Sequence, residues 1–196
     1  MITQERINEV IAGAADYGDV LREAKRQAHL ERVGVAGVMH AMLFSEDGEL
    51  LHDELQGNIV TSIGNQYYAE RAAGIASPPN QVTGMRLGTG TTAAATTGAG
   101  AAIVTYITAS QVAIDATYPQ SAAGGGTSRR ITWQTTWGAG VATNAAIAEV
   151  VITNEATLTN VAGTAANTVA RALLATAVNK AAGDSLIISW THDLGT

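Results

Sequence analysis

The sequence predicts a mainly β fold: a β-sandwich or jelly-roll-like domain with an N-terminal helical arm and one short internal helix. Three observations carry this. Helix-period patterning is concentrated in Thr3–Arg32, short β-forming runs recur at close intervals beyond Pro78, and loops rich in Gly, Thr and Asn separate those runs.

The elements follow in order. Thr3 suits an N-cap, and Ile7, Val10, Ile11 and Ala14 follow the i, i+3, i+4, i+7 rule, so the arm has one narrow apolar stripe among Glu5, Arg6, Glu9, Arg22, Glu23 and Arg26. Gly13 and Gly18 are expected to divide it into two helices. The stripe needs a partner, and two remain open: the chain's own β domain, or a neighbouring subunit. Val35–Phe44 and Leu50–Leu55 flank Asp47-Gly48, a pair favoured at positive φ, and predict a β-hairpin. Ser62 is the expected cap of a short helix through Tyr67 and Arg71, ended by Gly74, and Pro78-Pro79 stops any regular element.

Further strands are expected at Gly84–Leu87, Ile103–Ile114, Arg129–Trp137, Ile147–Thr153, Thr168–Ala177 and Ser185–Thr191. With the hairpin this makes about eight, a number that suits a sandwich or jelly roll. Thr91–Ala102 and Ser121–Thr127 have low complexity and read as flexible loops. The expected organisation is a helical arm over residues 1–34 and a β domain over residues 35–196.

Composition narrows the function. Charged residues are 14% of the 196 residues, well under the roughly 25% usual in globular chains, and most lie before Pro78. Small uncharged side chains therefore cover much of the surface, which suits flat protein contacts. A net charge of −6 argues against nucleic-acid binding, which is built from clustered Lys and Arg. Without Cys there is neither a disulfide nor a thiolate metal site, and no apolar run is long enough to span a membrane. The expectation is a protein made in the cytoplasm that stays in solution.

Motifs that could carry chemistry are incomplete. Gly88-Thr89-Gly90-Thr91-Thr92 follows a strand, but it lacks the Lys of a P-loop and the third Gly of a dinucleotide loop, so it reads as a strand-ending turn. His29, His40, His52 and His192 fall at no zinc-site spacing, and no metal or cofactor is expected. The carboxylates beyond Pro78, namely Asp115, Glu149, Glu155, Asp184 and Asp193, are isolated from one another in sequence. Nothing selects two of them as a glycosidase pair. Trp133 and Trp137 share one strand face, either as core anchors or as an exposed platform for sugar or protein. Candidate partner-contact residues are Ile7, Val10, Ile11, Arg22, Arg26, Trp133 and Trp137; no catalytic residue is assigned.

Four segments carry a resemblance. Gly57-Asn58-Ile59-Val60-Thr61 precedes the Tyr-rich helix; Met85-Arg86-Leu87-Gly88-Thr89-Gly90-Thr91-Thr92-Ala93, the stretch Thr132–Gly140, and Ala182-Gly183-Asp184-Ser185-Leu186-Ile187-Ile188-Ser189-Trp190-Thr191 follow. Together they resemble virion structural proteins of tailed bacteriophages, a class that includes capsid decoration or cement proteins and tail or fibre components. The resemblance implies a scaffold and not an enzyme. It favours a capsid decoration protein on the outer surface of the phage head, stabilising contacts between major capsid proteins as a dimer or trimer. The alternative is a tail, baseplate or fibre-attachment protein, with or without glycan binding.

Overall fold

The computed structural model describes residues 3, 5–8, 17–30 and 35–195. Two five-stranded antiparallel sheets face each other. The first has the order β2-β1-β10-β7-β6 and the second β3-β9-β8-β4-β5. The strands are β1 (Val35–Phe44), β2 (Leu50–Gly57), β3 (Ile59–Val60), β4 (Gly84–Gly88), β5 (Val112–Ala113), β6 (Gln120–Ala123), β7 (Arg129–Trp137), β8 (Asn144–Thr153), β9 (Thr168–Lys180) and β10 (Ser185–Leu194). Two α-helices, α1 (Tyr17–Leu30) and α2 (Ser62–Ala73), flank the sheets, residues 5–8 are also helical, and short 3-10 turns lie at Gly98–Ala101 and Ala165–Asn167. The mainly β, sandwich-like architecture expected from the sequence is the one observed.

Between the sheets lies one large apolar core. Trp190 stands opposite Trp133 on β7 and Met39 on β1, and all three are buried, as are Trp137, Met85, Leu87, Val150 and Ile152 from both sheets. The pleat that sends these side chains inward sends their neighbours outward, so each sheet has a second face to settle.

On the first sheet that second face is covered by the N-terminal segment. Ile7 packs with Met42, Phe44 and Ile187, while Val20, Leu21 and Ala24 of α1 pack over Ala36, Val38 and Leu55. Every residue of β1 is consequently buried, which explains why its sequence is apolar throughout except for His40 and does not alternate. Of the two partners left open for the stripe, Ile7 and α1 take the chain's own sheet. Val10, Ile11 and Gly13 lie outside the described residues, and Gly18 sits in the first turn of α1 and not between two helices.

The chain passes from one sheet to the other at Asn58, between β2 and β3. That corner is tight. A Cβ on Gly37 would lie 1.8 Å from Asn58 Oδ1 and 2.6 Å from His192 Cδ2, so only glycine fits there. α2 starts next. Its cap is Thr61 and not Ser62: the Thr61 hydroxyl accepts from Gly64 N at 3.0 Å and donates to Thr168 O, binding the helix start to β9. Ser62 is one residue too late, because its own N–H bonds the carbonyl of Thr96. Gly74 ends the helix at φ 65°, as the sequence indicates.

Residues 103–114 depart most from the sequence expectation. Here Ile103 and Ile107 are buried, but the backbone bends between them and turns again after Ile107, with Ala109 at φ 62°, and strand pairing is limited to a bridge from Tyr106 to Gly88 and to two-residue β5. Apolar plugs for a loop are indistinguishable by composition from the buried face of a strand. β6, conversely, forms from the polar stretch Gln120–Ala123, and only its register with Thr132–Arg129 on β7 marks it as strand.

Candidate functional site

The outward face of the second sheet carries charge. Arg86 on β4, Glu149 on β8 and Arg171 on β9 are each 0% exposed. Ions buried this deeply persist only when paired and hydrogen-bonded, and the two loops that cover them supply the pairing.

Glu149 is the centre. Its Oε1 accepts from the backbone N–H groups of Gly90 at 2.9 Å, Thr105 at 2.7 Å and Val104 at 3.1 Å, and Oε2 accepts from Arg171 Nη2 at 2.7 Å and Nε at 3.0 Å. Arg171 Nη1 donates onward to the carbonyls of Thr92 at 2.8 Å and Gly100 at 3.3 Å. The low-complexity loop after β4 is thus held at five backbone points by one ion pair. It is not the free loop its composition suggests. Glycine is required at Gly88 and Gly90 because a Cβ at either would stand 2.4 Å or 2.5 Å from Glu149 Oε1. The loop that resembles a phosphate cradle in sequence does cradle an anion, and the anion is a carboxylate of the same chain.

Arg86 repeats the device. Its guanidinium meets Glu155 Oε2 at 2.5 Å and Thr153 Oγ1 at 3.1 Å, and also donates to the carbonyls of Val161 at 2.9 Å and Thr159 at 3.0 Å. That pins the loop after β8. The two loops then join, since Asn160 Oδ1 accepts from Tyr106 Oη at 3.0 Å and from Ala109 N at 2.7 Å. The result is a roof over the second sheet whose outer residues, among them Thr91, Val104, Thr157 and Val161, are uncharged.

A second polar cluster lies at the Asn58 corner. His192 is fully buried beside Trp133, Trp190 and Tyr68. The indole of Trp190 can only donate, so its 3.0 Å bond assigns the His192 Nε2 lone pair, and Nδ1–H then faces the Tyr68 hydroxyl. Asn58 Nδ2 adds a second donor to Nε2 at 3.2 Å. Burial pushes the His192 pKa down to about 3, against a smaller raising effect of Asp193, so the ring is neutral. Burial likewise raises Tyr68 well above the usual tyrosine range.

The carboxylates considered for catalysis are all engaged in holding structure. Glu149 and Glu155 are described above. Asp193 receives Arg130 Nε at 2.8 Å and Nη2 at 3.1 Å, Asp184 accepts from Ala181 N at 2.8 Å, and Asp115 accepts from Gln134 Nε2, Thr136 Oγ1 and Thr136 N. Trp133 and Trp137 are 2% and 0% exposed and anchor the core; an exposed platform is not what they form. Ile7 is buried against its own sheet. Arg22 and Arg26 are exposed on α1, paired with Asp19 and Glu23. His40 and His52 do not meet: β1–β2 register sets His40 opposite Leu55 and His52 opposite Leu43, and they approach Asp53 and Glu54 instead. Spacing in the sequence gives no signal for the Glu149–Arg171 pairing. A Glu and an Arg standing isolated in apolar strand runs were the available hint.

Among the described residues no helix is long and apolar enough to cross a membrane, and no three His, Asp or Glu side chains gather where they could hold a metal ion. Comparisons with protein-family models, curated proteins and solved structures found no match.

Proposed function

We propose that this chain is a non-catalytic structural component of a tailed-phage particle, with capsid decoration as its station and the major capsid protein and further copies of itself as partners. One observation carries the reading furthest. All five carboxylates beyond Pro78 are engaged in bonds to arginine, backbone or neighbouring side chains that hold loops and strands. Chemistry spent on rigidity is what a scaffold requires, because a preformed surface loses little entropy when it docks. The low charge content and the resemblance of the chain from about Gly57 onward to virion proteins support the same reading.

A decoration protein stabilises a shell because its binding surface exists only in the assembled state, so binding draws the equilibrium toward assembly. The test is the copy number per purified particle, by quantitative mass spectrometry against the major capsid protein. Hundreds of copies support the capsid station. A handful would move the chain to the tail, and absence from the particle would end the proposal.

A further inference from the structure

We infer that the free edge of β2, beside α1, is a docking site for an extended, basic segment of a partner protein, which it takes up as one more strand of the first sheet. The inference stands on the edge itself and holds whether or not the chain is a virion protein.

β2 is the outermost strand on its side of the first sheet, so one of its edges faces away from β1. The phase of the β1–β2 ladder says which groups point that way. Asn58 N donates to Gly37 O at 3.1 Å, in the register that sets Gly57 opposite Val38, and hydrogen-bonded pairs alternate with non-bonded ones in an antiparallel ladder. Glu54 and Gln56 therefore bond β1, whereas Asp53, Leu55 and Gly57 turn their N–H and C=O groups outward. Among the described residues none partners these outward groups. Within a protein assembly, such a row of unpaired backbone groups is matched by another extended backbone. The other free edges are short or closed. β6 has four residues, β3 and β5 have two each, and the edge of β9 beyond β3 is closed by Glu54, which accepts from Ala175 N at 2.6 Å and Thr176 N at 3.3 Å.

Charge selects the partner. Residues 35–70 hold six carboxylates and no Lys or Arg. Asp53 meets His40 and Glu54 is taken up by β9, but Glu46, Asp47 and Glu49, at the hairpin end of β2, are exposed and form no ion pair among the described residues. A second copy of β2 laid along the first would set carboxylates beside carboxylates, which opposes strand pairing, whereas a strand bearing Lys or Arg gains from the same field. The other end of the edge is apolar. There, between α1 and the last residues of β2, runs a groove of about 600 Å³ lined by Val20, Ala24, Leu55 and Gly57, and the charges of Asp19 and Glu23 beside it are answered by Arg22 and Arg26. The matching segment is thus extended, with apolar side chains toward α1 and basic ones toward the hairpin.

The test titrates an end-capped synthetic peptide of alternating valine and lysine into the purified full chain and reads amide hydrogen exchange along β2. In the free chain the N–H groups of Glu54 and Gln56 exchange slowly and those of Asp53, Leu55 and Gly57 fast. Saturating peptide slows the outward three at least about tenfold and leaves the inward two unchanged. High salt weakens the binding, and a peptide with glutamate in place of lysine has no effect. Gly57→Pro removes one outward N–H and no bond to β1, and it raises the Kd for the lysine peptide at least about tenfold. Glu46→Gln combined with Glu49→Gln raises it severalfold, and circular dichroism checks that both variants are folded. A peptide that slows no outward amide, slows inward and outward amides alike, or binds both variants as tightly as the parent overturns the inference. So does a free chain whose outward amides a second copy already protects. A chain that takes up the peptide yet is absent from particles sinks the proposed function and leaves the edge standing; a chain present in hundreds of copies whose outward amides ignore the peptide does the reverse.

Discussion

Glu149 and Arg171 meet at 2.7 Å across β8 and β9 with neither side chain reaching solvent, and between them they bind five backbone groups of a single loop. Removing one partner strands the other charge. Glu149→Gln is expected to destabilise the fold by about 3–5 kcal/mol, read as a lowered denaturant midpoint. Hydrogen exchange at Gly90, Val104 and Thr105 should speed up with it. Replacing both partners, by Glu149→Leu and Arg171→Met, should not restore stability, because leucine leaves the N–H groups of Gly90, Val104 and Thr105 without the acceptor that a glutamine amide oxygen still offers. Recovery in that double variant would show that the pair acts as a simple ion pair and not as a loop anchor.

Gly90→Ala places a methyl 2.5 Å from Glu149 Oε1. Overpacking of this kind costs about 1–3 kcal/mol, equivalent to a fall in Tm of several degrees for a chain of this size. Gly140→Ala adds a Cβ that meets nothing within 4 Å, although its φ of +76° disfavours alanine, so its loss should be the smaller. Thermal unfolding of the two variants side by side gives the comparison.

His192 predicts a pH dependence. Its folded pKa of about 3 lies below the ordinary 6.5, so between those values the unfolded chain binds a proton that the folded chain refuses. Stability is therefore complete above about pH 6.5 and falls on acidification, at up to about 1.4 kcal/mol per pH unit. In His192→Gln, whose amide oxygen still accepts from Trp190, that slope should flatten between pH 6.5 and 4. An unchanged slope would assign the acid sensitivity to other groups.

Of the N-terminal segment, Ile7 and α1 cover the outer face of β1, where they pack on Val38, Met42 and Phe44. Removing residues 1–34 is expected to expose that face, so the truncated chain should bind a hydrophobic dye, lose several kcal/mol of stability and aggregate. A truncated chain that stays monomeric and dye-silent would show that the β domain is complete without its arm.

Much of the architecture is legible in the sequence, and what is not has physical causes. The β1–β2 hairpin is visible because Asp47-Gly48 meets a local requirement, and Gly48 does adopt φ 84°. That Trp133 and Trp137 share one strand face is readable from their even spacing, but whether that face is core or platform is not, and the structure makes it core. Two-residue β3 and β5 are invisible, since neither is long enough to show a period. The loop anchors are invisible for another reason: 22 residues separate Glu149 from Arg171 and 59 separate Glu149 from Gly90, and no local pattern encodes that proximity. Ile103–Ile114 misleads because Ile103 and Ile107 serve the core from a turning backbone that pairs only at Tyr106 and at Val112–Ala113.

β1 and β10 lie side by side over ten residue pairs, from Val35 opposite Leu194 to Phe44 opposite Ser185. A tensile load applied between Val35 and Leu194 would therefore pull at one end of the ladder and open it like a zip, one pair after another. A load applied between Val35 and Ser185 would instead strain all ten pairs together in shear. The same fold is thus mechanically soft along one direction and stiff along another, and the resistance a single molecule offers to pulling depends on which two residues bear the load.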